Sequence, residues 1–153
     1  MNEKEMQERF KNTMLEISRQ VENNSQVADV EKLVSLIDLI LEVHEDGGMV
    51  FTYGAGRSGF VGRCFAQRLM HLGISSCFVS DAVTHQFGRE DLLVLISGSG
   101  ETTSPVAIAK KAEKIGGRIA LFTGNPASTI RSLADVAIKI EGKSKDKAVS
   151  EET

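Results

Sequence analysis

The chain has little of several residue types on which common functions depend. It contains no Trp, one Tyr and 5% aromatic residues, so it offers few rings on which nucleic-acid bases would stack. Its net charge of −3 gives no global positive field for nucleic acid or for an anionic membrane. No apolar run approaches the roughly 20 residues that span a membrane. An anion that binds this protein is therefore held by local donors.

Cysteine is also scarce. Cys64 and Cys77 lie inside apolar stretches and lack the CxxC spacing typical of structural zinc sites. We interpret them as buried free thiols of a protein in a reducing compartment. Residues 1–5 carry charge where a signal peptide has an apolar core. We therefore expect a cytoplasmic protein without nucleic-acid or membrane partners, and 153 residues predict one domain that folds without a metal.

Two amphipathic helical patterns open the chain. Apolar residues recur every three or four positions over residues 6–21 and again over residues 30–41. Asn23-Asn24-Ser25 is predicted to break the first helix, and Gly47-Gly48 to end the second. We expect residues 1–48 to form helices that pack on the same domain or on a partner subunit. The apolar side chains expected to make that contact are Phe10, Met14, Ile17, Leu33, Ile37 and Ile40.

Five short apolar runs without polar alternation follow, which is typical of parallel strands covered on both faces. They are residues 49–53, 75–79, 92–96, 119–123 and 136–140. Helices are predicted between them at residues 58–72, 105–115 and 129–134, with Ser104 as an N-cap before Pro105. This order predicts an α/β fold over residues 49–141, a doubly wound five-stranded parallel sheet with flanking helices. Residues 142–153 are predicted to be a polar tail that is either disordered or truncated.

Two glycine-rich loops join strands to helices in this pattern. Residues 54–59 match G-x-G-x-x-G, and residues 97–104 hold five hydroxyl side chains and two glycines. Glycines let backbone amides approach a ligand, hydroxyls donate hydrogen bonds, and a helix N-terminus adds about half a positive charge. The two loops therefore predict a phosphate site. Its expected binding residues are Gly56, Arg57, Ser58, Ser97, Gly98, Ser99, Gly100, Glu101 and Thr102.

Other interpretations of the same residues exist. The first loop alone is also compatible with a tight turn, or with a dinucleotide site in which Asp81 binds a ribose. A single domain leaves no room for the substrate domain of a dehydrogenase, and a dinucleotide needs no hydroxyl-rich second loop. Within that second loop, Glu101 is interpreted equally well as a sugar ligand or as a helix cap. Arg57 either neutralises phosphate or pairs with Glu101.

Several motifs resemble a known family. The chain carries Gly54-Ala55-Gly56-Arg57-Ser58-Gly59, Arg68-Leu69-Met70-His71-Leu72-Gly73, Ser97-Gly98-Ser99-Gly100-Glu101-Thr102 and Thr123-Gly124-Asn125-Pro126. Together they resemble the SIS (sugar isomerase) domain, and within it the 6-phospho-3-hexuloisomerases. The resemblance implies isomerisation of 3-hexulose 6-phosphate to fructose 6-phosphate through an enediol, without a metal or cofactor. It also implies a homotetramer in which Ser58 and residues 97–102 bind the substrate.

The resemblance fails at one functional residue. The proton acceptor proposed for that family is a glutamate in a Gly-Ser-Leu-Phe-Glu-like motif after the last strand, and residues 143–153 contain no such motif. Glu151 and Glu152 are therefore not given that role. His71 is the remaining candidate base, although a helix that starts at the first loop places it roughly 20 Å away. It is also interpreted as an interface histidine. The alternative function is a non-catalytic module that binds phosphosugars.

Overall fold

The computed structural model describes residues 2–142 as two compact units. The smaller unit comprises residues 2–28 and 140–142, and the larger comprises residues 29–139. Of the predicted tail at residues 142–153, residues 143–153, which include Glu151 and Glu152, lie outside the described residues. No helix among the described residues is long and apolar enough to cross a membrane.

The smaller unit contains a single long helix, α1 (Glu3–Val27), none of whose side chains is buried. Its first turn is closed by a capping box between Asn2 and Glu5. The predicted break at Asn23-Asn24-Ser25 is wrong, because the helix continues through these residues. Asn24 donates to the carbonyl of Gln20, and the Ser25 hydroxyl donates to that of Glu22. These polar side chains bond back to the helix, and no glycine or proline interrupts it.

The larger unit is the predicted α/β sandwich. Five parallel strands lie in the order β2-β1-β3-β4-β5, and a helix separates each pair of consecutive strands along the chain except β2 and β3, which a loop joins. The elements are α2 (Val30–Glu45), β1 (Val50–Gly54), α3 (Arg57–His71), β2 (Ser76–Phe78), β3 (Leu92–Ile96), α4 (Thr103–Ile115), β4 (Arg118–Thr123), α5 (Thr129–Leu133) and β5 (Val136–Lys139). The doubly wound sheet predicted from unbroken apolar runs is confirmed.

The sheet separates two layers of apolar side chains. On one face, Leu36 and Ile40 of α2 pack with Leu69 of α3 against the sheet. On the other face, Ala109 and Ala112 of α4 pack with the sheet and α5. Ile40, which the sequence predicted to pack on the same domain or on a partner subunit, is buried within its own unit. The helices α3 and α4 cover opposite faces, so they leave the sheet in opposite directions.

The beginning of α4 differs from the prediction. The helix starts at Thr103 with Thr102 as its N-cap, so Ser104 is inside the helix rather than at its cap. Pro105 consequently occupies the third helical position instead of the first. A proline is tolerated there because the amides of the first helical turn have no partner within the helix. The shift exposes the amides of Thr103 and Ser104 at the end of the second glycine-rich loop.

Candidate functional site

The two glycine-rich loops meet at the middle of one edge of the sheet. Strands β1 and β3 are hydrogen-bonded neighbours, and their final residues, Gly54 and Ile96, are register partners. The chain turns from β1 into α3 on one face and from β3 into α4 on the other. This is the point at which the strand order reverses, where open α/β sheets bind their ligands. The sequence-predicted loops are therefore adjacent in space.

The first loop directs a helix N-terminus toward this edge. Gly56 precedes α3 with φ +56°, a conformation that residues with a side chain rarely adopt. No side chain caps the helix, so the amides of Arg57 and Ser58 have no partner within it. The Arg57 side chain is exposed and Ser58 is half-buried. These two residues supply one positive charge, one hydroxyl and two amide donors beside the second loop.

The second loop is organised by its own hydroxyl groups. The buried Ser97 Oγ accepts a hydrogen bond from the Gly100 amide at 3.1 Å. The Ser99 Oγ accepts one from the Glu101 amide at 3.2 Å and lies 3.4 Å from the Thr102 Oγ1. Either hydroxyl of the Ser99–Thr102 pair can be the donor between them, so the proton of the other hydroxyl is available for donation to a ligand. Gly98, Glu101 and Thr102 are exposed, so the loop is open to solvent.

The Glu101 carboxylate caps a neighbouring helix. Its Oε1 accepts a hydrogen bond of 2.6 Å from the amide of Thr129, the first residue of α5. This hydrogen bond to the charged form lowers the pKa of Glu101 below its usual value. The sequence left two roles open for Glu101, sugar ligand and helix cap, and this contact is that of a helix cap. The salt bridges of residues 2–142 do not include an Arg57–Glu101 pair, which leaves the Arg57 charge available to an anion.

The segment after β4 contributes residues that sequence reasoning did not place in the site. Thr123 Oγ1 approaches the Gly98 carbonyl at 3.3 Å, and Asn125 Nδ2 donates to the Ser99 carbonyl at 3.1 Å. Both are at least half-buried. The signal for them was in the order of elements: β4 neighbours β3, so the loop that follows β4 must lie beside the loop that follows β3.

The predicted base lies far from these loops within one chain. His71 is the last residue of α3 and is exposed, whereas the loop contacts the first turn of the same helix. Fourteen residues of helix separate His71 from Arg57, or about 21 Å along the axis. Residues 2–142 contain no group of three His, Cys, Asp or Glu side chains that would hold a metal ion.

A separate cavity of about 380 Å³ lies beneath residues 79–87. Phe51 is one of its mostly apolar lining residues, His85 and Lys111 also line it, and neither glycine-rich loop does. A largely apolar wall with one lysine compensates for less of the desolvation of a phosphate dianion than a set of hydroxyl and amide donors does. We therefore assign the candidate site to the open sheet edge, where the hydroxyls and free amides of two loops lie with Arg57.

Comparison with known proteins agrees with this geometry. Residues 45–150 match the SIS domain family. The chain is 45% identical over 112 residues to a 3-hexulose-6-phosphate isomerase of Methanocaldococcus jannaschii, covering 73% of this chain and 59% of that protein. It is 38% identical over 133 residues to a 3-hexulose-6-phosphate isomerase of Bacillus subtilis, covering 87% and 70%. The chain thus spans about three fifths to seven tenths of the length of these two relatives.

Solved structures share the fold. A Methanococcus jannaschii protein with an inferred 3-hexulose-6-phosphate isomerase function superposes with a TM-score of 0.74 at 38% identity, covering 88% of this chain and 78% of that one. An Escherichia coli protein, solved in complex with a small-molecule ligand, superposes with a TM-score of 0.80 at 26% identity, covering 94% and 77%.

Proposed function

This chain belongs to the SIS domain family, and on that basis we propose that it isomerises 3-hexulose 6-phosphate to fructose 6-phosphate. The observation that carries the proposal is the meeting of the two loops at the strand-order reversal. There, Arg57, Ser58, Ser99 and Thr102 surround amides that have no partner within their helices. Relatives named 3-hexulose-6-phosphate isomerase at 38% and 45% identity support the choice of sugar.

The reaction moves the carbonyl from C3 to C2 by proton transfers at carbon and at oxygen. A base removes the proton from C2, the electron pair forms the C2–C3 double bond, and the C3 carbonyl oxygen takes up a proton, which gives an enediol. The C2 hydroxyl then loses its proton as the C2 carbonyl forms, and the base returns its proton to C3, so that no proton is gained or lost overall. In our proposal, the hydroxyls and amides of residues 97–102 and 56–58 hold the phosphate and the sugar hydroxyls. Anchoring the non-reacting phosphate fixes C2 and C3 relative to the base, which lowers the entropic part of the barrier.

We propose that His71 acts as the base in the site of a neighbouring subunit. The support is its exposure at the far end of α3 from its own phosphate loops. This role requires a homo-oligomer, and we propose a homotetramer. The exposed apolar side chains of α1, among them Phe10, Met14 and Ile17, support such an assembly. Light scattering tests it: a particle of one chain mass, 16.6 kDa, at micromolar concentration contradicts the assembly.

We also propose a cytoplasmic location. Cys64 and Cys77 are both free, which suits a reducing compartment. Burial raises the pKa of the half-buried Cys77, which keeps this thiol in its unreactive protonated form at neutral pH.

One observation favours a non-catalytic phosphosugar-binding module as the second candidate. The two loops contain no histidine, and their only carboxylate, that of Glu101, caps α5. Neither loop therefore offers a free general base. The deciding experiment supplies 3-hexulose 6-phosphate and couples the formation of fructose 6-phosphate to reduction of a nicotinamide. Calorimetry with fructose 6-phosphate is run in parallel. Turnover supports the isomerase, binding without turnover supports the module, and the absence of both refutes both.

A further inference from the structure

Carbonyl groups of the second loop point toward one segment, residues 123–130, which joins β4 to α5. The Gly98 carbonyl accepts a hydrogen bond of 2.9 Å from the Gly124 amide and a longer one, 3.3 Å, from the Thr123 hydroxyl. The Ser99 carbonyl accepts from Asn125 Nδ2. These contacts cross 25 and 26 residues of sequence, so they join two separate loops of the sheet edge.

The side chains that make these contacts are themselves fixed. Asn125 Oδ1 accepts a hydrogen bond from the Ala127 amide at 3.1 Å, which sets the orientation of the side-chain amide and aims Nδ2 at Ser99. Thr123 is buried, and its Oγ1 accepts a hydrogen bond from the Asn125 amide at 3.1 Å. Its hydroxyl proton is therefore available to carbonyl acceptors, of which the Gly98 oxygen lies at 3.3 Å and the Asn125 oxygen at 3.4 Å. Neither side chain is free to turn away without losing a second hydrogen bond.

The geometry of the peptide group means that these contacts also set the orientation of a backbone amide. In a trans peptide the carbonyl and the amide hydrogen point in opposite directions. Anchoring the Gly98 carbonyl on Thr123 and Gly124 therefore turns the Ser99 amide away from that segment. Within residues 2–142, the Ser99 amide donates to no protein acceptor, whereas the Gly100 amide donates to Ser97 Oγ. The Ser99 amide is thus left for a ligand.

We propose that Asn125 and Thr123 form a clamp of two positioning residues that holds the Ser99 amide and hydroxyl toward the phosphate of the substrate. They touch no ligand themselves. Thr123 orients the Ser99 amide through the Gly98 carbonyl of the same peptide. Asn125 fixes the next peptide through the Ser99 carbonyl, and the two fixed peptides together set the direction of the Ser99 side chain. The inference rests on the proposed function only in that it takes the second loop as the phosphate site. It does not depend on which sugar is bound or on whether the sugar is isomerised.

The test compares ligand affinity with stability in four variants of the full chain. Thr123→Val removes the hydroxyl at nearly constant shape, Thr123→Ser restores it, and Asn125→Ala removes the donor to Ser99 without adding charge. Thr52→Val is the matched control, because Thr52 is also buried at a strand and its hydroxyl donates to a carbonyl, that of Gly62, at 2.9 Å. Calorimetric titration with inorganic phosphate and with fructose 6-phosphate gives the affinity, and thermal unfolding gives the stability.

We expect Thr123→Val and Asn125→Ala to weaken the binding of both ligands about tenfold, because an amide donor to the dianion is misdirected. Thr123→Ser keeps wild-type affinity. Thr52→Val lowers the melting temperature comparably but leaves the affinity unchanged. Where the wild type isomerises 3-hexulose 6-phosphate, KM rises more than kcat falls in the two clamp variants.

Several results overturn the inference. Affinity within twofold of the wild type in both Thr123→Val and Asn125→Ala refutes it. An equal loss of affinity in Thr52→Val also refutes it, because the loss would then come from general destabilisation of the fold. A wild type that binds neither phosphate nor fructose 6-phosphate refutes it as well. A wild type that binds phosphate but isomerises nothing contradicts only the proposed function, and the clamp is then judged on phosphate affinity alone.

Discussion

Replacing Gly100 by alanine is the sharpest test of how the second loop is built. Gly100 has φ +65°, and an added Cβ overlaps the Oγ and Cβ of Ser128. Ser128 is buried and is the N-cap of α5, where its hydroxyl accepts from the Arg131 amide. The loop and α5 therefore cannot both keep their positions in the variant, and neither atom belongs to the end of a long flexible side chain.

The expected destabilisation has two parts. Placing a residue with a side chain in the left-handed region costs about 1–2 kcal/mol. Overpacking against a buried neighbour costs about 1–3 kcal/mol. The sum, about 2–5 kcal/mol, is a large fraction of the roughly 5–15 kcal/mol by which a typical domain is stable. For a chain of this size it lowers the melting temperature by about 5–15 °C.

Two further variants separate these parts. Gly98→Ala, two residues earlier, is the matched control: its Cβ meets no atom within 4 Å and its φ is not positive, so stability should change little. In a Ser128→Gly background the overlap is absent, and Gly100→Ala should cost only the backbone part. Urea unfolding of the wild type, Gly100→Ala, Ser128→Gly and the double variant gives the double-mutant cycle. Equal stability of Gly98→Ala and Gly100→Ala, or a cycle without coupling, refutes the packing described for this loop.

Three other predictions concern ligand binding and pH. Ser99→Ala or Thr102→Val should weaken fructose 6-phosphate binding about ten- to hundredfold in calorimetry with little change in melting temperature, because each removes a hydroxyl donor to a dianion. If neither variant changes the affinity, the phosphate binds elsewhere. Arg57→Ala should weaken binding and flatten its dependence on ionic strength, and an undiminished salt dependence contradicts the role of that charge. The hydrogen bond from Thr129 lowers the pKa of Glu101 below 4.5, so its stabilisation is present above that pH and is lost as pH falls through the folded-state pKa. Glu101→Gln should therefore reduce the loss of urea stability between about pH 6 and about pH 3, and an unaltered pH profile contradicts the cap.

The strands and their parallel pairing were predictable from the sequence. Leu92-Leu93-Val94-Leu95-Ile96 is apolar at every position, and the strand observed, β3, covers those residues. Unbroken apolar character requires burial on both faces, and short segments with helices between them require parallel pairing. The two glycine-rich loops then fall at the carboxyl edge of the sheet. Local composition was sufficient here because each feature depends on neighbours in the sequence.

The contacts that organise the site were not predictable in the same way. The Glu101–Thr129 hydrogen bond crosses 28 residues and depends on where α5 begins relative to the loop. Nothing in the residues around Glu101 distinguishes a helix cap from a sugar ligand, since both need an ionised carboxylate in a polar loop. The length of α1 was missed for a related reason. The Asn24 side chain donates to the Glu141 carbonyl at 2.8 Å and accepts from the Glu141 amide at 2.7 Å, and local composition, which predicts a break, carries no sign of this contact across 117 residues.

The clamp and the cap together explain how an acidic chain can hold a dianion. Glu101 would repel a phosphate if its charge faced the site, but the amide of Thr129 holds it at the start of α5. The same segment, residues 123–130, also donates hydrogen bonds to the loop carbonyls, whose oxygens would otherwise repel an anion. What remains on the open side is a set of donors, the Ser99 amide and the Ser99 and Thr102 hydroxyls. A net charge of −3 is therefore compatible with anion binding, because the local field at this edge is set by oriented dipoles and by Arg57.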